Sequence, residues 1–142
     1  MMYEAGDLLK FSPFKFKNGN QPKPKYFIVL GHIDKKVMMA TLPTSKDHVP
    51  ADAVVKSGCV DIKERGVNAY VFSSNDRVTA TFSFPRQTFV YGEQVDEYET
   101  KYLDEMDSSV ENLGKIESQI FHDLKDCIKK AQSLRRKYRN LL

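Results

Sequence analysis

No stretch of this 142-residue chain approaches the roughly 20 consecutive apolar residues that a membrane-spanning helix needs. The longest apolar run, Tyr26 to Leu30, has the length of a strand. The opening Met1-Met2-Tyr3-Glu4-Ala5-Gly6-Asp7 lacks the basic-then-apolar order of a secretory signal. Cysteine is scarce, and Cys59 and Cys127 stand far apart with no metal-ligand spacing. The histidines His32, His48 and His122 lack the spacing of two helical metal ligands. No glycine-rich phosphate loop follows a strand, and there is no nucleophile elbow. These absences argue against a membrane protein and against metal or nucleotide-cofactor enzymology, so no cofactor is expected. Cys127 reads as a small hydrophobe on the apolar side of a helix. A cytoplasmic protein in a reducing compartment, without a disulfide, is the corresponding expectation.

What the chain does have is the composition of a globular domain, 41% hydrophobic and 29% charged, at a length that suits one domain. Its net charge of +3 is unevenly spread. Lys10, Lys15, Lys17, Lys23 and Lys25 load the N-terminal segment, and acidic residues gather from Glu93 to Asp107. Lys129, Lys130, Arg135, Arg136, Lys137 and Arg139 make the end basic. Basic clusters suit phosphate backbones; the last one equally suits a solvated helix face at the negative end of a helix dipole.

The pattern along the chain predicts short strands. Gly6 to Phe16 opens as a strand bent at Pro13, and Lys17 to Pro24 is a loop with Asn-Gly and two prolines. Lys25 to Leu30 is a buried strand, Gly31 to Lys36 a hairpin turn, and Val37 to Leu42 the returning strand. A polar loop, Pro43 to Pro50, follows. Gly58–Ile62, Ala69–Phe72, Phe82–Phe84 and Thr88–Tyr91 are further short strands. Ile116, Ile120, Phe121, Leu124, Cys127, Ile128, Ala131, Leu134 and Tyr138 then recur every three or four residues, which predicts one amphipathic helix. The expected architecture is mainly β (α+β): a small β-barrel over about 1–95, an acidic connector over about 96–113 and a long C-terminal helix over about 115–140. Gly114 is expected to stop the element before that helix.

Two loops concentrate cations and hydroxyls. Lys23 and Lys25 precede the strong strand, and Thr44, Ser45, Lys46 and His48 follow its hairpin partner. Antiparallel pairing puts the start of the first strand beside the end of the second, so Lys25 and Thr44 are expected at one end of the barrel. Cleavage of RNA through its own 2′-hydroxyl needs a proton acceptor, a donor for the leaving oxygen and a cation near the phosphate. Lys25 or Lys23 suits the cation, Thr44 a hydrogen bond to phosphate, and His48 proton transfer. His48 equally suits a surface loop. Tyr26 and Phe27 alternate sides, Phe27 as core and Tyr26 free to stack on a base. Met38 and Met39 read as packing residues, and Arg86 as an exposed turn cation.

Gly6-Asp7-Leu8-Leu9, the Lys23-Pro24-Lys25 step before Tyr26–Leu30, and Leu42-Pro43-Thr44-Ser45 together resemble the MazF/PemK/Kid toxin family. The likeness covers about the first third of the chain, and the order of elements agrees beyond it. It implies an SH3-like barrel that forms a homodimer and cleaves single-stranded RNA without a metal. It also implies a cognate antitoxin whose flexible segment occupies the RNA groove. Thr44 matches the family's catalytic Thr/Ser position and Ser45 follows it; Lys25 or Lys23 takes the basic position. The family places Arg there, and lysine offers a point charge in place of the bidentate fork. Lys17, Lys23, Ser45, Lys46 and Tyr26 are the expected RNA contacts.

Overall fold

The computed structural model describes residues 3–42 and 56–142. Four consecutive side chains, Phe27 to Leu30, are buried in β2 (Lys23–Ile33), and Val37 to Ala40 are buried in β3 (Lys36–Leu42). Side chains alternate along a strand, so an unbroken buried run means that both faces of the sheet leave water. The two strands pair through a tight turn at Asp34, whose φ of 54° lies in the left-handed region that Asp tolerates. β1 (Asp7–Phe14) joins β2 on its other side. β7 (Val95–Glu99) and β8 (Val110–Lys115) complete an antiparallel sheet of order β7-β3-β2-β1-β8. A second antiparallel sheet, β4-β5-β6, is built from Gly58–Ile62, Val67–Phe72 and Thr88–Val90.

One face of the large sheet carries Leu8, Ile28, Ala40 and Leu42 into a core shared with Phe72, Val90, Leu124, Ile128 and Tyr138. The other face carries Leu9, Phe11, Phe14, Phe27, Val29 and Met39 against Tyr98, Leu103 and Met106. Leu103 belongs to the short α1 (Thr100–Asp104). Phe27 is core, and so are Met38 and Met39.

The expected SH3-like barrel is therefore overturned: there are two sheets, and no closed barrel among the described residues. A small barrel has one interior and would leave Phe11, Phe14 and Phe27 facing solvent. Burying each such side chain contributes about 1.5–3 kcal/mol, so an open sheet with a core on each face is favoured. The region expected as an acidic connector supplies β7, α1 and β8. Gly114 lies inside β8 and does not stop it; a Cβ there would stand 3.1 Å from the Thr79 hydroxyl. Phe82–Phe84 forms no strand, only the isolated bridge Arg77–Ser83. The bend expected at Pro13 is present as a register shift between Phe11 and Phe14.

The long C-terminal helix is overturned as well. The chain forms α2 (Ser118–Lys129), breaks, and resumes as α3 (Arg136–Arg139). A continuous helix would carry Tyr138 about 21 Å beyond Leu124, at 1.5 Å per residue. The break returns Ala131, Leu134 and Tyr138 to the core that holds Leu124. Arg139 secures it by donating to the carbonyls of Lys129 (2.9 Å), Ala131 (2.6 Å) and Leu134 (3.0 Å). Among the described residues no helix is long and apolar enough to cross a membrane.

The expectation of unpaired cysteines is also corrected. Cys127, buried on α2, is joined by a disulfide to Cys59 on β4, closing a sequence separation of 68 residues. Spacing along the chain carries no signal for a contact made by tertiary packing. In the chain-entropy account, opening a loop of this length costs about 4 kcal/mol. Cys59→Ser should therefore lower the unfolding free energy by roughly that amount, read by urea denaturation, and the wild type with reductant should match it. An unchanged midpoint in both would show that the crosslink contributes nothing to stability.

Candidate functional site

The end of the large sheet where β2 begins holds two of the sequence-predicted cations, Lys23 and Lys25. β1 and β2 pair so that Lys10 opposes Tyr26, Phe11 opposes Lys25 and, past the bulge, Phe14 opposes Lys23. Directly opposed residues share a face, so Tyr26 lies on the side of Lys10, while Lys25 lies with Phe11 and Phe27. Two consecutive residues thus leave the strand toward opposite faces.

Lys25 is only 9% exposed. Among the described residues no carboxylate pairs with it, and its nearest charged influence is another cation. Burial first, and the Lys23 ammonium second, hold its pKa below the ordinary 10.5 of lysine. Buried charges are normally paired because desolvation is costly. A largely buried lysine with no acid partner among the described residues is a candidate to receive an anion.

On the other face, Tyr26 meets Phe82 at 5.8 Å between ring centroids and Phe84 edge-on at 5.2 Å. Both phenylalanines come from a tight excursion held by backbone bonds. The Asn75 N–H donates to the Phe84 carbonyl (2.8 Å), and the Val78 N–H to the Phe82 carbonyl (2.9 Å). Its tip is tied to β8, where the buried Thr79 hydroxyl donates to the Leu113 carbonyl at 3.0 Å. The Lys10 ammonium stands 5.5 Å from the Tyr26 ring centroid. Lys10, Tyr26, Thr81, Phe82, Glu111, Asn112 and Leu113 line an open cavity of about 410 Å³. Lys10 and Glu111 oppose one another across β1 and β8, yet no ion pair joins them.

The remaining predicted residues divide into two groups. Thr44, Ser45, Lys46 and His48 lie outside the described residues; Leu42, just before that stretch, pairs with Tyr26. Lys17 is committed elsewhere: its ammonium pairs with Asp96 (3.3 Å), donates to the Glu97 carbonyl (2.6 Å) and covers the Tyr98 ring. Arg86 is exposed, as expected. His32 contacts the Tyr3 carbonyl, and His122 faces Asp126 along α2 at 3.2 Å. A larger cavity, about 500 Å³, opens between the β4–β5 hairpin and the end of α2. It mixes Asp61 and Glu93 with Lys63 and Lys130 and contains none of the predicted residues.

The sequence reading missed Phe82, Thr81 and Glu111 as site residues. The alternation Phe82-Ser83-Phe84 signalled an apolar side but not its destination, and Glu111 has no local signature. No family model matches the chain, and no curated protein matches it either.

Lys25→Met should raise the unfolding free energy at pH 7 by about 1 kcal/mol, because a lysine with no acid partner among the described residues leaves a largely buried position. The pH dependence has a definite sign. With the folded-state pKa depressed, the unfolded chain holds the proton more tightly, so wild-type stability climbs relative to the variant as pH rises toward 10.5. The advantage of the variant should narrow over that range, as urea titrations at several pH values would read. A variant less stable than wild type at pH 7 would mean that Lys25 is already compensated.

Proposed function

We propose that this chain binds single-stranded RNA over the Lys25–Tyr26 end of the large sheet and cleaves it without a metal, as the resemblance to the MazF/PemK/Kid toxins implies. The observation that carries the reading is Lys25, a largely buried lysine with no acid partner among the described residues, on the strand whose next residue, Tyr26, lines an aromatic cavity on the opposite face. Phosphate supplies the missing anion, with exposed Lys23 extending the positive track. Bases stack on Tyr26 and Phe82, which suits single strands because every base has a π-face. In the cleavage step the 2′-hydroxyl attacks the adjacent phosphorus and the 5′-oxygen leaves, while Lys25 stabilises charge gathering on the phosphoryl oxygens. Thr44 and His48 are the residues proposed to contact phosphate and move protons.

In this reading the protein acts as a homodimer in the cytoplasm, restrained by an antitoxin segment laid along the same track. A second reading, binding of RNA or of a protein partner without cleavage, is favoured by one observation: Lys25 and Tyr26 point to opposite faces, which separates the cation from the stacking platform.

Cleavage of a long single-stranded RNA in excess EDTA tests the proposal. The wild type should give discrete fragments, and Lys25→Gln should slow their appearance by about 10²–10³-fold, the usual cost of one transition-state charge contact. Thr44→Ala should also impair cleavage. Intact RNA that is retarded on a gel would select the binding module, and RNA neither cut nor retarded would refute RNA as the ligand in either reading.

A further inference from the structure

We infer that the cavity beside Tyr26 is a base-reading site and that the base it takes is an unpaired guanine, with Glu111 as the residue that specifies it. This inference rests on the proposed single-stranded RNA binding and names what that site recognises. The walls supply three chemistries: the half-buried rings of Tyr26 and Phe82, the Lys10 ammonium, and the Glu111 carboxylate. Lys10 and Glu111 are opposed across β1 and β8, a geometry that brings their Cβ atoms to about 5 Å. Yet they form no ion pair, so a cationic donor and an anionic acceptor stand side by side beyond the edge of an aromatic platform.

Among the four bases, one edge matches that pair. Guanine offers N1–H and N2–H₂ as adjacent donors to a carboxylate, with O6 next to them as an acceptor for an ammonium. Adenine and cytosine set a ring-nitrogen lone pair beside their amino group, which a carboxylate repels. Uracil has one N–H flanked by two carbonyl oxygens. The edge in question is the Watson–Crick edge, which is free only when the base is unpaired, so the site also selects single strands. Glu111 is exposed on its strand, and among the described residues no ion pair engages its carboxylate.

Fluorescence anisotropy with 2′-O-methylated heptamers, which lack the attacking hydroxyl, tests this directly. Each is uridine throughout except for a central guanosine, inosine or adenosine. Wild-type protein should bind the guanosine heptamer about tenfold more tightly than the other two, since inosine lacks the N2 amino group and adenosine reverses the edge. Glu111→Gln should remove that preference, so that the three heptamers bind alike. Phe82→Ala should weaken all three alike. Equal binding of the three heptamers by the wild type would overturn the guanine site and leave RNA binding standing. A guanine preference that survives Glu111→Gln would overturn the role of Glu111. Binding of none of them would refute the RNA reading and this site together.

Discussion

Everything in this fold follows from the central strands being buried on both faces. Phe27 to Leu30 and Val37 to Ala40 send successive side chains into two different cores, so each strand must be covered twice. The second sheet, α2 and α3 close one side, and α1 with its flanking residues closes the other. The same alternation sets the chemistry where β2 begins. Following one face from Val29 through Phe27, the next position is Lys25: a lysine side chain occupies a position that the rest of this face fills with hydrocarbon. Its depressed pKa is thus a result of register.

Strand content was legible because β-branched and aromatic residues cluster between turn residues in Lys25–Leu30 and Val37–Leu42. Their arrangement was not. A run of four apolar residues announces two-sided burial as clearly as it announces a strand, but a barrel requires the opposite alternation, inside and outside. The C-terminal stripe shows the same limit. Leu124, Ile128, Ala131, Leu134 and Tyr138 do share one core. Helical spacing identified which side chains are buried, yet could not reveal that the chain folds back between Lys130 and Arg135. That reversal depends on Arg139 gathering three carbonyls, a contact encoded by no local period. The Cys59–Cys127 link is equally invisible, since it reports which helix packs on which sheet.

The site was legible in part for the same reason. Lys23 and Lys25 stood out because they stand at the start of a strong strand that carries Tyr26, and Leu42 lies beside Tyr26. Phe82 reaches Tyr26 only through the 75–84 excursion, and Glu111 reaches Lys10 only because β8 adds to β1. The Gly6-Asp7 pair meanwhile has a structural task. Gly6 donates to the Val29 carbonyl and accepts from Ile116, while buried Asp7 pairs with Lys115 at 3.1 Å across the β1–β8 join. Burial alone would lower the Lys115 pKa, but its bonds to Asp7 and Glu4 prevail and raise it. The opening residues of the resemblance therefore fix the sheet edge on which Glu111 stands.

Which cations are available to phosphate is decided by their partners and not by their number. The basic C-terminus is the densest cluster in the sequence, yet much of it is engaged within the fold. Arg139 caps carbonyls, Lys137 holds Glu97 at 2.6 Å, and Arg135 lies over Tyr138. Lys17 and Lys115 are likewise tied to carboxylates. An anion approaching any of these must displace an existing contact, and exposed pairs return little for that exchange. Lys10, Lys23 and Lys25 have no carboxylate partner among the described residues, and they stand at one end of one sheet. At Lys25 the arriving charge would also relieve a desolvation penalty already incurred on folding, so the same phosphate contact is worth more there than at an exposed lysine. In the proposed reading, that asymmetry is what would draw an anionic polymer to the start of β2.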